Sequence, residues 1–569
     1  MADTTGLLSQ FYLKLSGSDA PEELLRDLLS VRVETSLHLP DVATVVLHDP
    51  RLAWIDDARL APGKLLAISA RSGRDEKPLF DGEIVELEPE FEPATVRLAI
   101  RAFNRMHRLG RGQHARSFQN VTDGDLVTKL AQEVGLQAQV GTTSQVYPYI
   151  FQNNESDLAF LQRRASALGY LLFVRGTTLH CEPPTKDGSP IELEWGVHLS
   201  EFRPRMTTLG QVESVTARGW DPSSGQAIVG RAQRGRAGPS VGEAQSGGEL
   251  ANAAFNVDAQ GLVADRPIRS QAEADRLAQT NVDVLSGRFI EADGVCAGDP
   301  ALVAGASIHV SAVGQRFGGT YIVTASTHSY TAEHGYSTEF SVSGLEPATL
   351  LSTLAAGTQA PSDIQASSRR QVGLVIGVVT DNGDPEALGR VKVKFPWLTS
   401  DHASDWARVV AVGAGSERGI EFLPEVNDEV LVGFELGDIR FPYVLGGLWS
   451  GQAVPPKSTG DAVSSGQVQL RVIRSRAGHV ITLDDTDGGG GISIVDKSGN
   501  KIVIDSGSDK VTISTQGDVE VTAQGSMSLA AQGNLKLHAQ GQVELSGTGV
   551  TVDGGASTVD VKGVLIRLN

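Results

Sequence analysis

From Gln516 onward the chain repeats itself every eight residues. A Gln-Gly pair returns with its glycine at Gly517, Gly525, Gly533 and Gly541. Two apolar residues follow each glycine at fixed offsets: Val519 and Val521, Met527 and Leu529, Leu535 and Leu537, Val543 and Leu545. Looser copies flank these octads, with Ile492/Ile494, Ile502/Ile504 and Val511/Ile513 before them and Val550/Val552, Val559/Val561 and Val564/Ile566/Leu568 after. The i, i+2 spacing puts each pair on one face of a short strand. Two apolar side chains per strand do not make a core in one chain, because a single-chain solenoid coil usually needs about 20 residues or more. Eight residues supply one side of a prism. Three chains, each giving one side per layer, would bring the pairs together on a threefold axis and leave no strand edge free along the rod. About ten strands at about 4.7 Å per layer would make a rod on the order of 45 Å long. The repeat therefore predicts a homotrimeric needle whose axis is filled by the eight residues from Val519 to Leu545 named above. Parity places Lys536 and His538 outside Leu535 and Leu537, so one histidine per chain makes no metal site on the axis.

The rest of the chain reads as mainly β. There are 64 glycines in 569 residues and aromatics are only 5 %, which favours turn-rich sheet over helical bundles. At this length three or four domains are expected. Residues 1–105 and 200–357 are strand-rich and read as two barrels of one larger domain, 1–357. Between them, 106–199 is a mixed α/β segment. It holds a helix with Leu126, Leu130 and Val134 on one face, then a second helix capped by Asn154 or Ser156 and carrying Leu158, Leu161, Ala165 and Leu168. A further helix starts at the capping box Ser270-x-x-Glu273, and 235–249 reads as a Gly/Ser-rich surface loop. Residues 358–371 read as a linker. In 372–450, GRVKVKFPW points Val391, Val393 and Phe395 one way and Lys392 and Lys394 the other, within a five-strand pattern that fits an OB-fold. A second linker, 451–466, leads to the needle, 467–569.

Charge and chemistry narrow the function. A formal charge of −19 opposes nucleic-acid binding, which needs clustered Lys and Arg. Cys181 and Cys296 are the only cysteines and form no metal-like spacing, so a reducing compartment is expected. No signal peptide and no uncharged apolar stretch near 18 residues is visible, so synthesis in the cytoplasm without Sec export is expected. His180, Cys181 and Glu182 alternate across a strand, while His309, His328 and His334 stand singly. DDTDGGGG (484–491) reads as a hairpin turn rather than a calcium loop. No paired carboxylates and no Ser/His/Asp arrangement sits in a recognisable context, so no enzyme and no cofactor is expected. The basic run 101–116 reads as a solvated connector, or less readily as a surface for an acidic neighbour.

LGRVKVKFPW (388–397), SDWARV (404–409), GIEFLPEVNDEVLVGFELGD (419–438) and PYVLGGLWSG (442–451) resemble the spike domain of valine–glycine repeat (VgrG) proteins of contractile injection systems. FQNNESDLAFLQRRASALGYLLFV (151–174) and GGTYIVTASTHSY (318–330) resemble the phage tail-hub half of that family. Asn427 stands where the family usually has glycine; asparagine tolerates positive φ, so the turn is expected to survive. The resemblance implies a homotrimer with tandem hub barrels, an OB-fold collar and a triple-stranded β-helix. It also implies partners: inner-tube and base-plate proteins at the hub, a PAAR-repeat tip protein at Val564, Ile566 and Leu568, and a target membrane met only on contraction. Neither a lysozyme domain nor a trailing effector domain is visible in this sequence, which looks more like the spike of an extracellular, phage-tail-like system. A minimal type VI spike, a phage tail spike, a spike bearing a cell-wall hydrolase and a surface-binding fibre are the other readings. The particle would be released or stay inside its producer.

Overall fold

A computed structural model describes residues 11–344, 373–398 and 403–567, apart from 73–74, 94, 185–188, 222–223, 225 and 237. It forms two compact units, Met1–Ala453 and Val454–Asn569.

Within the first unit, the two strand-rich segments are not separate sheets. Strand Leu28–Ser36 pairs with Val42–His48 on one side and with Ala325–Thr331 on the other, so both segments share one sheet of eleven strands. Alternation explains the strand: Val31 and Val33 are buried beside Val45, Leu47, Ile68 and Ile100, while Arg32 and Glu34 pair on the open face.

The α/β segment follows its sequence pattern closely. Helix Asp123–Glu133 is opened by a Thr122/Asp125 capping box. In helix Asp157–Leu168 the cap is Ser156, whose hydroxyl accepts the Ala159 N–H at 3.2 Å, and Gly169 closes it at φ 70°. Phe160 and Arg164 are buried on this helix with Leu161 and Ala165. An apolar-stripe reading does not place an arginine there.

Two local expectations change. The stretch 235–249, read as loop, ends in a helix, Gly247–Phe255, opened by a Ser246/Glu249 capping box. Its glycines reflect crowding: a Cβ on Gly247 would lie 2.7 Å from the Phe289 ring, and one on Gly248 would lie 2.2 Å from the Val212 carbonyl oxygen. Helix Gln271–Gly287 has only half of the box expected at Ser270. The Ser270 hydroxyl accepts the Glu273 N–H at 3.2 Å, but the Glu273 carboxylate takes the Arg269 N–H instead. This helix lies so close to strand Gln226–Ala232 that a Cβ on Gly230 would be 2.3 Å from the backbone of Ala274. Gly230→Ala is therefore expected to lower stability by about 2–3 kcal/mol through overpacking, read as a fall in the urea midpoint.

The collar is a five-stranded barrel. Its sheet runs Lys392–Lys394, Val375–Asp381, Glu429–Phe434, Pro442–Gly447, Arg408–Val409, and a Val391–Ala407 backbone bridge joins first strand to last. Val379, Val391, Val393, Phe395, Val430 and Val444 fill it. Tyr149 and Phe151, from strand Tyr147–Glu155 of the upstream segment, belong to the same core, and the Tyr149 hydroxyl donates to the Ala403 carbonyl at 3.1 Å. Asn427 adopts φ 77° and its N–H reaches the Val379 carbonyl at 2.9 Å, so asparagine serves in the glycine-like turn.

In the second unit, the stretch read as a linker carries a helical turn, Thr459–Ala462, and a small hairpin joining Val463–Ser464 to Gln467–Val468. Five antiparallel strands then pair within the chain, starting at Leu470, Val480, Gly491, Lys501 and Lys510. Beyond Ser514, where the period tightens to eight residues, no described residue joins a strand, and the octads run as extended segments bent at their glycines.

Candidate functional site

The meander Leu470–Ser514 places its apolar residues in cross-strand rows. Ile473 faces Ile481, Ile481 faces Ile494, Ile494 faces Ile502 and Ile502 faces Ile513. A second row runs Leu483, Ile492, Ile504, Val511. These nine side chains share one face of the sheet, and each is at least 39 % exposed. The octads continue the pattern: Val519, Val521, Met527, Leu529, Leu535, Leu537, Val543 and Leu545 are 52–70 % exposed. Burial of each such side chain is worth about 1.5–3 kcal/mol, so a single chain leaves a long apolar surface unsatisfied. Lys536 and His538 lie between and after the leucines of their octad and are also exposed. At the end of the described chain Val564 is fully exposed and Ile566 is 49 % exposed, while Leu568 lies outside the described residues.

The reactive residues of the first unit are engaged in structure. Cys181 is buried, and burial pushes its thiol up to about 12, as it does for Cys296. His180 and Glu182 meet at 3.1 Å on the opposite face of their strand. His328 is wholly buried; its Nε2 donates to the Leu302 carbonyl at 3.0 Å, and its Nδ1 accepts from the Tyr336 hydroxyl at 2.9 Å. Among the described residues, no cluster of three or more His, Cys, Asp or Glu is arranged to hold a metal. No helix among them is long and apolar enough to cross a membrane. Asp484, in the acidic glycine-rich stretch, accepts the Thr486 N–H at 3.0 Å within a hairpin turn.

The basic run 101–116 is neither a solvated connector nor an unpaired patch. Arg101 pairs with Glu86 and Glu88, Arg105 with Asp81, Arg108 and His107 with Glu83, and Arg116 with Glu133 and Asp157. Strand Asp75–Glu92 brings Asp81, Glu83, Glu86 and Glu88 to it, and helices Asp123–Glu133 and Asp157–Leu168 bring Glu133 and Asp157, which linear charge counting does not reveal.

Burial holds His328 down to about 4 from its ordinary value near 6.5. An unfolded histidine binds a proton near 6.5 and the folded one does not, so this stability is present at pH 7 and lost as pH falls from about 6.5 to 4. The full effect is about 3 kcal/mol. Asp41 opposes it: burial raises its carboxyl to about 6, so its contribution weakens the fold as pH rises from about 4 to 6. Replacing His328 by glutamine is expected to flatten the rise of stability with pH in that window, as measured by urea unfolding near pH 5 and pH 7.

One surface escaped the sequence reading. Hairpin Val412–Gly415/Arg418–Ile420 projects from the collar with every residue from Val410 to Leu423 exposed. Its sequence signal, VVAVGAGSERGIEF, is an apolar pair of strands around a glycine-rich turn.

Residues 375–449, the collar, match the family of the type VI secretion system/phage-baseplate injector OB domain. The fold is thus that of a base-plate spike protein, as the spike-domain motifs implied. Residues 7–332, more than half of the chain, match the model of the Alg8 N-terminal domain, and the chain belongs to that family. Among curated relatives, the type VI spike protein VgrG2a of Pseudomonas aeruginosa is 27 % identical over 120 residues, which are 20 % of this chain and 14 % of that protein. VgrG5 of the same organism is 30 % identical over 138 residues, 23 % of this chain and 16 % of the relative. The matched part is therefore a small share of those proteins' own length. In three dimensions, a chain of the lidded Francisella PdpA–VgrG complex aligns with a TM-score of 0.52 at 8 % identity, covering 89 % of this chain and 79 % of that one. The E. coli c3393 protein, a component of the type VI secretion system, aligns at 0.50 and 14 % identity, covering 77 % and 99 %. At these identities the likeness is one of fold.

Proposed function

We propose that this protein is the trimeric central spike of a contractile injection system, with work that is mechanical rather than catalytic. The observation that carries the reading is the apolar face of the second unit, from Ile473 to Leu545, which no side chain among the described residues covers. Three copies bury that face on one axis, and the octads then pair their free backbone groups between chains. The hub would seat on the inner tube and base plate, and the end at Val564 and Ile566 would carry a PAAR-type tip protein. Produced without export, the chain would reach a membrane only when the particle contracts, whether that particle is released or works inside its producer. An extracellular, phage-tail-like system is the preferred setting, and a minimal type VI spike is the second reading, favoured by the identity of the curated relatives.

Size-exclusion with light scattering on the full chain is expected to give three times the chain mass; a monodisperse monomer with a folded second unit would overturn the reading. Removing residues 511–569 is expected to abolish capture of a PAAR-type tip protein while the hub keeps its circular dichroism. Tip capture by the truncated chain would remove the tip assignment.

A further inference from the structure

The collar carries two separate exposed apolar surfaces, and their chemistry is complementary. The first is the hairpin arm. Val412 and Ile420 face each other across it, Arg418 lies on the Ile420 side two residues away, and Phe422 follows. These apolar residues are 52–72 % exposed. An isolated two-stranded hairpin is at best marginally stable in water, so an arm with no buried residue of its own needs a surface to lie on. Among the described residues Arg418 has no acidic partner; its side chain lies over Gly415.

The second surface is the outer face of the barrel sheet. Ile376 faces Leu431, and Leu374 and Leu445 flank Gly433, whose missing side chain leaves a shallow depression between them. Leu374, Ile376 and Leu445 are 58 %, 48 % and 42 % exposed. Glu429, on the same face two residues before Leu431, has no basic partner among the described residues.

We infer that the hairpin arm of one copy lies on the Leu374–Ile376–Leu445 face of the next copy around the threefold axis, with Arg418 reaching Glu429. This deepens the trimeric reading and rests on it. Rotational threefold symmetry requires each chain to present two different, mutually complementary patches, one given and one received. An unrelated partner would need only one of them. The pairing of one unpaired arginine with one unpaired glutamate sets the register of an otherwise apolar contact. The collar would then be closed by an exchange of arms, a contact independent of the needle.

Two full-length chains with different affinity tags test this, one carrying Ile420→Cys and the other Leu445→Cys; the native cysteines are buried. Co-produced and treated with a short bis-maleimide, they are expected to give a covalent dimer containing both tags, and either variant alone is expected to give none. Arg418→Glu is expected to reduce the cross-linked fraction several-fold, and Arg418→Glu together with Glu429→Arg to restore it. A trimer by light scattering with no mixed-tag dimer overturns the arm exchange and leaves the needle reading standing. A dimer formed by Ile420→Cys alone also overturns it, because like patches would then be meeting. A monomer by light scattering overturns both.

Discussion

Leu537→Asp is expected to convert the full-length protein from trimer to monomer at micromolar concentration while the first unit stays folded. The substitution places a carboxylate at an octad position assigned to the axis, so three of them would converge in a space built for leucine. Burying an unpaired charge costs several kcal/mol per ion, and mutual repulsion in a dry interior adds to that. Each chain also loses the burial of a leucine, about 1.5–3 kcal/mol. The neighbouring residue supplies the control: Lys536→Asp places the same carboxylate on the side assigned to solvent, with a larger change in net charge, and is expected to leave the trimer intact. Light scattering distinguishes the two. Equal loss of the trimer in both variants would refute the assignment of faces, and no loss in either would refute the axis.

Arg164→Ala is the second large effect, and it acts on the first unit. The Arg164 Nε donates to an Asp123 carboxylate oxygen at 2.6 Å, and both residues are buried. The guanidinium also stacks on the Tyr147 ring, 4.5 Å from its centroid. The pair ties helix Asp157–Leu168 to the first turn of helix Asp123–Glu133, where the helix dipole also favours the carboxylate. Removing only the arginine strands a buried charge, and about 3–5 kcal/mol of stability is expected to be lost. Replacing both partners, with Asp123→Leu and Arg164→Met, is expected to cost clearly less, because no charge is left alone. Urea unfolding followed by circular dichroism measures the difference. A double variant as unstable as Arg164→Ala would show that packing of the arginine stem, rather than its pairing, holds the helices.

What the sequence made legible follows from how local each signal is. The octads state their period directly, and the collar strand from Val391 to Phe395 alternates in the chain as it does in the barrel, with Val391, Val393 and Phe395 buried. Caps are equally local, which is why Ser270 is legible as a cap and the cap of the second helix narrows to Asn154 or Ser156, of which the structure uses Ser156. Non-local arrangements were hidden. Nothing near Arg101 or Arg108 in the chain announces Glu86 or Glu83, because strand pairing supplies them. The helix at Gly247 was masked by the glycines that its tight packing demands, although its Ser246/Glu249 box was already present. The collar arm is hidden for a related reason: nothing in the chain separates its apolar residues from those of a core strand, and only their exposure marks them as a surface. For the needle, sequence and structure are complementary, since the period assigns the faces and the single chain leaves them bare.

The presence of Tyr149 and Phe151 inside the collar core bears on how such proteins can be recombined. A crossover at 358–371, where the sequence suggests a boundary, would pair a barrel with a strand shaped for a different one. The Tyr149 hydroxyl would lose the Ala403 carbonyl, and two rings would meet valines they were not selected beside. Hub and collar therefore share one core, and swaps between relatives are expected to succeed only when strand Tyr147–Glu155 travels with the barrel it completes.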